Sequence, residues 1–325
     1  MKDGFYLSTY LFINKLAHLT KIPLRHDQNL SLWRKEGNQI KLVHLWELER
    51  LTGFKQHDRA FFNVTQARQI INHLLDTYGL SMTDMEAIWG TPELQTDDDY
   101  RSLSDYPQVS YHSLCHFFSA LLLDSRVFFE EDVIGLAADG APDNVVDKSI
   151  EDKYYFCGSY SRRGRIVDVF PIYSPGPLWG IARDHYRIRE GTLMALANGT
   201  TSKLLESPLD KVHTNNVASI RQVVDSMNGL FGYVDAMTDK DAGTLFNHYD
   251  DRFTKEENKI SMVMKEVQAK SIMVMEEHID RIIQEYHVDP TKTYLALGGA
   301  RPRHWMSSLA GGWPRKAGVW GMRSR

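Results

Sequence analysis

The chain has 325 residues, of which 42% are hydrophobic and 25% are charged, a composition typical of globular proteins with a sizeable buried core. Its formal net charge of −4 gives no general attraction to nucleic acid or to an anionic membrane. Two cysteines argue against a disulfide framework, and neither a secretory signal nor an apolar run of about 18 residues is visible. We therefore expect a soluble cytoplasmic protein of mixed α/β class, with no nucleic-acid or membrane partner.

The first half of the chain carries the signals of a hairpin followed by a helix. Apolar residues alternate with polar ones over residues 30–48 on both sides of a Glu-Gly-Asn turn, which predicts two antiparallel strands. Asn63, with Gln66 three positions later, predicts a capped helix that ends before Gly79. Residues 87–90 then predict a short buried strand.

The second half repeats this order after an acidic stretch, residues 96–106, that predicts a surface loop. A helix is predicted over residues 110–123. The small apolar residues of 133–138 indicate a central buried strand, and alternation around Arg163 and Gly164 indicates another hairpin. Residues 259–286 predict a long amphipathic helix, and a final strand leads into Gly298 and Gly299.

Two copies of a strand–hairpin–helix unit predict a duplicated ribonuclease-H-like fold, the architecture of actin and sugar kinases. In that fold the loops after the first strand of each copy face one another across a cleft. Here these loops contain His26-Asp27 and Asp139-Gly140, so we expect a ligand to lie between them.

The predicted organisation has three parts: a first subdomain over residues 1–130, a second, incomplete subdomain over 131–299, and an atypical tail over 300–325. The tail has six Lys or Arg, no acidic residue and three of the seven tryptophans. A basic nucleic-acid tail is one interpretation. Our hypothesis is instead a frameshift after Gly299, which translation of the other two reading frames tests.

His112 and His116 are four residues apart on a predicted helix, so their imidazoles project from one face. Such a pair can bind iron, zinc or manganese, although most helical pairs of this spacing are ordinary polar residues. A zinc-protease motif is disfavoured because Ser113 stands where its general base would be. Asp139, at the end of a buried strand, supplies a third candidate metal ligand.

Other candidate site residues lie in polar loops. His26 and Asp27 together could act as a general base or bind an anion, or could form an ordinary solvated loop. Arg50 and Lys55 could orient phosphate or carboxylate groups, or could belong to a solvated strand edge and turn.

Glycines and one acid complete the set. Glu190 and the glycine after it precede an apolar helix start, which is a candidate binding element or simply a packed helix. The glycines at 140, 298 and 299 follow or end predicted strands. Glycine at such positions lets a backbone approach a phosphate or nucleotide closely.

Six segments, in order along the chain, resemble the carbamoyltransferase family that includes the nodulation-factor and tobramycin O-carbamoyltransferases. The amino-terminal actin-like domain of that family is related to tRNA threonylcarbamoyl transferases. The resembling segments are residues 26–27, 47–57, 112–120, 133–140, 190–197 and 295–299.

This resemblance implies a two-step reaction. A separate adenylate-forming domain makes carbamoyl-adenylate from carbamoyl phosphate and ATP, and the actin-like domain passes the carbamoyl group to a hydroxyl of a secondary metabolite or glycan. By the same resemblance, His112, His116 and Asp139 hold a divalent metal, ferrous iron, as a Lewis acid. His26 would assist the attacking hydroxyl or steady the carbamoyl group.

The chain also departs from the family pattern. Thr192 replaces a family Lys, and residues 300–325 supply neither the Asn that follows the Gly-Gly strand nor a second metal-binding Asp. The adenylate-forming domain is not recognisable either, so we expect a truncated enzyme. The alternatives are an inactive fragment, a subunit whose partner supplies the adenylate chemistry, or an actin-fold kinase. The kinase is disfavoured because residues 26–29 lack a Gly-Thr or Gly-Ser phosphate loop.

Overall fold

The structure is a computed structural model that describes residues 1–21, 25–95, 98–99, 106–122, 124–138, 153–209 and 216–298. The described residues fall into two compact units, the first up to residue 99 and the second from residue 106 onward. No helix among these residues is long and apolar enough to cross a membrane.

The first unit is built on a five-stranded sheet in the part of the chain that the structure describes. Its strands are β1 Gly4–Tyr10, β2 Asn29–Glu36, β3 Gln39–Glu47, β4 Met85–Gly90 and β5 Asp98–Asp99, and its helices are α1 Lys15–Thr20, α2 Leu48–Thr52 and α3 Val64–Asp76. Short 3-10 turns occur at Lys55–His57, Met82–Asp84 and Pro92–Leu94.

The second unit combines a four-stranded sheet with six helices among its described residues. The strands are β6 Asp132–Ala137, β7 Cys157–Arg162, β8 Arg165–Pro171 and β9 Thr293–Gly298. The helices are α4 Tyr111–Leu122, α5 Ser125–Glu130, α6 Gly176–Tyr186, α7 Glu190–Gly199, α8 Val217–Asp235 and α9 Lys255–Tyr286, with a 3-10 turn at Asp239–Asp241.

The two sheets share one pattern of strand order and direction. The first has the order β3-β2-β1-β4-β5 and the second the order β8-β7-β6-β9. In each, the first strand pairs antiparallel with the hairpin on one side and parallel with a later strand on the other. The repeat of a strand–hairpin–helix unit that the sequence predicts is therefore confirmed at the level of topology.

Helices cover both faces of the second sheet. Phe117 of α4 and Phe128 of α5 pack with Val133 and Ala296 on one face. Alternate positions of the same strands face α9 instead, where Leu295 joins a second apolar cluster. Because both faces are buried, β6 is apolar from Val133 to Ala137, which is the pattern of a central strand. By their contacts α4 and α5 belong to this unit, although they precede residue 131, where we placed the start of the second subdomain.

Local signals account for most element ends. The hairpin turn lies at Gly37, whose φ of 52° suits glycine. The Asn63 side chain accepts from the backbone N of Gln66 at 2.9 Å, as predicted. The Gln66 side chain accepts from Phe62 N, whereas a capping box would have it accept from Asn63 N. In contrast to the predicted loop over residues 96–106, Asp98–Asp99 pairs with β4.

The long helix begins at Lys255, four residues before its predicted start. The reason is a capping box. Glu257 N donates to Thr254 Oγ1 at 3.2 Å, and Thr254 N donates to Glu257 Oε2 at 2.8 Å. This Thr-x-x-Glu signal is present in the sequence, but it precedes the first buried apolar residue of the helix.

A fully buried asparagine anchors the start of α9. The Asn258 side chain accepts from Asp250 N at 2.8 Å and also from the Ser202 hydroxyl. It donates to the carbonyls of Asp250, Phe253 and Thr254 at 2.8–3.1 Å. A buried amide whose donors and acceptor are all bonded ties the loop after α7 to the long helix.

We predict that Asn258→Ala lowers the free energy of unfolding by about 2–4 kcal/mol, because it leaves several buried polar groups unpaired. Urea unfolding followed by tryptophan fluorescence measures the change. Asn228→Ala, on the exposed side of α8, is the control and is expected to change stability by less than about 0.5 kcal/mol. Equal effects of the two variants would contradict the anchoring role.

Candidate functional site

The two histidines of α4 converge on one point. His112 Nε2 and His116 Nε2 are 3.0 Å apart, and their rings meet edge to face with centroids separated by 4.6 Å. Both side chains are half-buried. The shared helix face predicted from the spacing of four is thus realised, with the same nitrogen of each ring turned toward the other.

The helix that carries this pair lies against the end of the second sheet at which the parallel strands β6 and β9 have their carboxyl ends. Ser113 Oγ donates to Cys157 Sγ at 3.3 Å, and Cys157 pairs with Ala137, the last residue of β6. On the other side, Ala137 pairs with Gly298 of β9. The His pair therefore belongs to the edge of the sheet at which β6 and β9 end.

Position 298 must be glycine because α4 packs directly against the backbone of β9 there. A Cβ at this position would overlap the carbonyl oxygen of His116 and would lie 3.1 Å from Ala120 Cβ. The glycine predicted to let a nucleotide approach therefore has a packing role in the described structure. It allows the helix backbone to lie directly on the strand.

The separation of the two nitrogens fits two kinds of interaction. Two imidazoles that bind one metal at about 2.1 Å, at right angles to each other, place their nitrogens about 3 Å apart. The same distance allows a hydrogen bond from one ring to the other. No group of three or more His, Cys, Asp or Glu in the described ranges is arranged to hold a metal. Asp139, the predicted third ligand, lies outside those ranges.

His26 and Asp27 form a close pair in the first unit. His26 Nδ1 and Asp27 Oδ2 are 2.7 Å apart, and 64% and 61% of the two side chains are exposed. Since the carboxylate accepts, Nδ1 carries the proton and Nε2 is the ring nitrogen able to take one. Asp27 adopts a left-handed conformation with a φ of 58°, and its carbonyl accepts from Asn29 Nδ2 at 2.9 Å. The arrangement matches a base held by an acid.

Gln28 fixes the loop that carries this pair, and sequence reasoning did not single it out. Its buried side chain accepts from Phe12 N at 2.8 Å. It also donates to the carbonyls of His57 and Arg59 at 2.9 and 2.8 Å. The one sequence feature that could have indicated its role is that Gln28 is a polar residue directly before the strand β2. Burial lowers the pKa of the neighbouring His57, which shares a hydrogen bond of 2.8 Å with Thr52.

Arg50 and Lys55 are exposed in the structure. Arg50 Nε donates to the Glu47 carboxylate three residues earlier, and this hydrogen bond raises the pKa of the guanidinium. An exposed pair of this kind contributes little to stability. Lys55 begins the 3-10 turn Lys55–His57. The described contacts do not bring either residue to the His26–Asp27 pair.

The remaining predicted residues divide into described and undescribed positions. Glu190 is the first residue of α7, whose Leu193, Met194 and Ala197 are buried among the helices of the second unit. Like Asp139, Gly140 and Gly299 lie outside the described residues, as does the tail over residues 300–325.

Comparisons with known proteins add little. No family model matches the chain, and no curated protein matches it. A solved structure described as a structural study of the Aquifex aeolicus PPX-GPPA enzyme is similar with a TM-score of 0.30 and 9% identity, covering 85% of this chain and 94% of that one. Similarity at this level assigns neither a fold nor an activity.

We predict that Gly298→Ala lowers the free energy of unfolding by about 1–3 kcal/mol, because the new methyl group meets helix backbone that cannot rotate away. Denaturant titration measures the change. Gly229→Ala is the matched control, since a Cβ there meets nothing within 4 Å. In the interior of α8 that substitution is expected to stabilise the helix by up to about 1 kcal/mol. A loss from Gly298→Ala no larger than the control's change would contradict the close contact.

The two cysteines should differ sharply in reactivity. Burial raises the pKa of the Cys157 thiol to about 12, so at pH 8 it is protonated and shielded, whereas Cys115 is exposed. We expect a thiol reagent such as iodoacetamide to modify one cysteine in the folded protein and two after unfolding. Peptide mass spectrometry identifies the modified residue, and rapid native labelling of Cys157 would contradict the packing of α4.

Proposed function

We propose that the chain is an O-carbamoyltransferase that transfers a carbamoyl group, made available as carbamoyl-adenylate from carbamoyl phosphate and ATP, to a hydroxyl of a secondary metabolite or glycan. The observation that supports the proposal is the convergence of His112 Nε2 and His116 Nε2 to 3.0 Å at the carboxyl edge of the second sheet. The six sequence segments that resemble the family give the reaction its chemical class.

The fold that goes with this proposal is a duplicated ribonuclease-H-like fold. Its support is the common strand order of the two sheets, in which the first strand is flanked by an antiparallel hairpin and a parallel later strand. In α/β sheets ligands bind outside the carboxyl ends of the strands, and the His pair belongs to that edge of the second sheet.

In this proposal His112 and His116 hold a divalent metal, ferrous iron, with Asp139 as the third ligand. Two neutral imidazoles and one carboxylate are a ligand set that iron, zinc and manganese accept. Bound there, the metal would polarise the carbonyl of the carbamoyl group as a Lewis acid.

His26 and Asp27 are the proposed general base and the acid that orients it. Asp27 bonds to Nδ1 and so fixes the tautomer in which Nε2 is the basic nitrogen, which would take the proton of the attacking hydroxyl. Exposure of both side chains leaves room for a substrate to reach them. Gln28 then acts as a positioning residue, since it holds the loop that carries the pair.

A non-catalytic chain, either an inactive fragment or a subunit that depends on a partner for the adenylate chemistry, is the second candidate. The observation that favours it is that 3.0 Å also suits a direct hydrogen bond between the two histidines. In that case the pair is a polar contact of α4, and no metal is needed to explain its geometry.

Metal occupancy distinguishes these two candidates. We predict that the purified chain, loaded anaerobically with Fe²⁺, holds about one metal per chain, and that His112→Ala and His116→Ala each lower the occupancy at least tenfold, since each removes one of three ligands. Mass spectrometry of the metal content after desalting gives the occupancy. His73→Ala, an exposed histidine of α3, is the control and should leave the occupancy unchanged.

The same variants are assayed for transfer of labelled carbamoyl groups to aminoglycoside and oligosaccharide acceptors. Carbamoyl-adenylate is supplied in the assay by a separate adenylate-forming enzyme acting on carbamoyl phosphate and ATP. Loss of transfer together with loss of metal supports the proposal. Metal content unaffected by both substitutions removes the proposed site, and metal binding without transfer to any acceptor favours the non-catalytic candidate.

A further inference from the structure

A cavity of the first unit carries positive charge that no predicted role uses. It has a volume of about 350 Å³ and lies between α1 and the loop that follows the 3-10 turn at Lys55–His57. We call it the α1 cavity. The residues that line it are Ala17, His18, Lys21, Asp58, Arg59 and Ala60.

The charges of the α1 cavity do not cancel. Of the lining residues that the structure describes, Lys21 and Arg59 are cationic at neutral pH and Asp58 is the one acid. Among the described residues, no ion pair joins Asp58 to either cation. The described lining therefore has one more positive than negative charge, which favours an anion.

Arg59 is held in a defined orientation. Its guanidinium lies 3.4 Å from the centre of the Phe54 ring, a cation–π contact that limits the rotation of the side chain. The Arg59 carbonyl accepts from buried Gln28 at 2.8 Å, which fixes the backbone. A planar guanidinium positioned in this way can donate two parallel hydrogen bonds to one oxyanion.

His18 adds a hydrogen-bond acceptor. Its Nδ1 is 2.7 Å from the Ala60 carbonyl oxygen, and because a carbonyl can only accept, Nδ1 carries a proton. The Phe62 ring packs edge-on against the imidazole at 5.6 Å. In this tautomer Nε2 is an acceptor, which suits the remaining proton of a monoprotonated phosphate.

Backbone contacts hold the two walls of the cavity together. Phe61 N donates to Phe12 O at 2.7 Å, and Asn14 N donates to Phe61 O at 3.0 Å. The Asn14 side chain accepts from Ala17 N at 2.9 Å and caps α1. The loop after the 3-10 turn and α1 are thus parts of one fixed scaffold, which reduces the entropy cost of ordering the cationic side chains around a ligand.

We propose that the α1 cavity binds the phosphate group of a small phosphorylated molecule. Arg59 supplies the paired hydrogen bonds, Lys21 a point charge, and His18 Nε2 an acceptor for the proton of a monoprotonated phosphate. The volume lies within the usual range for small-molecule pockets, roughly 300–1,000 Å³, so there is room for a carbon skeleton as well as the phosphate. This proposal does not rest on the proposed carbamoyl transfer, since none of the three side chains that would contact the phosphate is assigned to that reaction.

Isothermal titration calorimetry of the whole chain with inorganic phosphate and with glycerol 3-phosphate tests the proposal. We expect saturable binding of both, weakened at least about tenfold by Lys21→Gln and by Arg59→Gln, since each removes a charge-assisted hydrogen bond. Arg59→Lys should weaken phosphate less than Arg59→Gln, because it keeps the charge and loses only the paired geometry.

Lys41→Gln is the matched control, because Lys41 is an exposed lysine of β3 in the same unit and does not line the cavity. It should leave affinity within about twofold of the parent chain. Absence of saturable phosphate binding, or an equal loss in the Lys41→Gln variant, overturns the proposal. Acetate bound as tightly as phosphate would overturn the assignment to phosphate. His112→Ala serves as a second control and should bind phosphate normally even if metal binding is lost.

Discussion

The contact between α4 and the end of β9 is the constraint on which the second unit depends. The His116 carbonyl lies so close to Gly298 that only glycine fits, and the neighbouring strand ends at Ala137. Ser113 adds a hydrogen bond from the same helix to Cys157 on the other side of β6. These contacts place the helix, and the two imidazoles it carries, at the end of the sheet where β6 and β9 terminate.

A helix held this closely cannot change its rotation without moving its backbone away from the sheet. The direction of the His112 and His116 side chains is therefore decided by packing rather than by the histidines themselves. Convergence of two basic nitrogens at 3.0 Å is stable only with something shared between them, either a proton or a cation. A shared proton and a shared metal cation give the same distance between the nitrogens. A metal cation there supports the catalytic proposal, and a proton supports the non-catalytic one.

The first unit shows a different use of buried polarity. Gln28 bonds at once to the strand-end loop at Phe12 and to the segment that carries His57 and Arg59. One amide thereby supports both the exposed His26–Asp27 pair, which it directly follows in sequence, and one wall of the α1 cavity. A buried amide must bond all of its donors and its acceptor, so Gln28 fixes the loop at Phe12 and the segment of His57 and Arg59 together.

Sequence patterns anticipated the hairpins, α3, α4, the buried strand β6 and the final strand, since each follows from a period of apolar residues or from a turn or cap residue next to it. They missed α1, which has a single buried residue, Ala17, and so no apolar period to detect. The spacing of His112 and His116 likewise determined that the two rings share one helix face.

Only the tertiary structure decided which way that face turns, and that Gly298 allows a helix to pack closely on β9. These outcomes depend on residues far apart in sequence, such as His116 and Gly298, whose contact leaves no local pattern. Periodicity reports which side of an element is buried. It carries no information about which neighbour buries it, because that is settled by the simultaneous packing of all the elements.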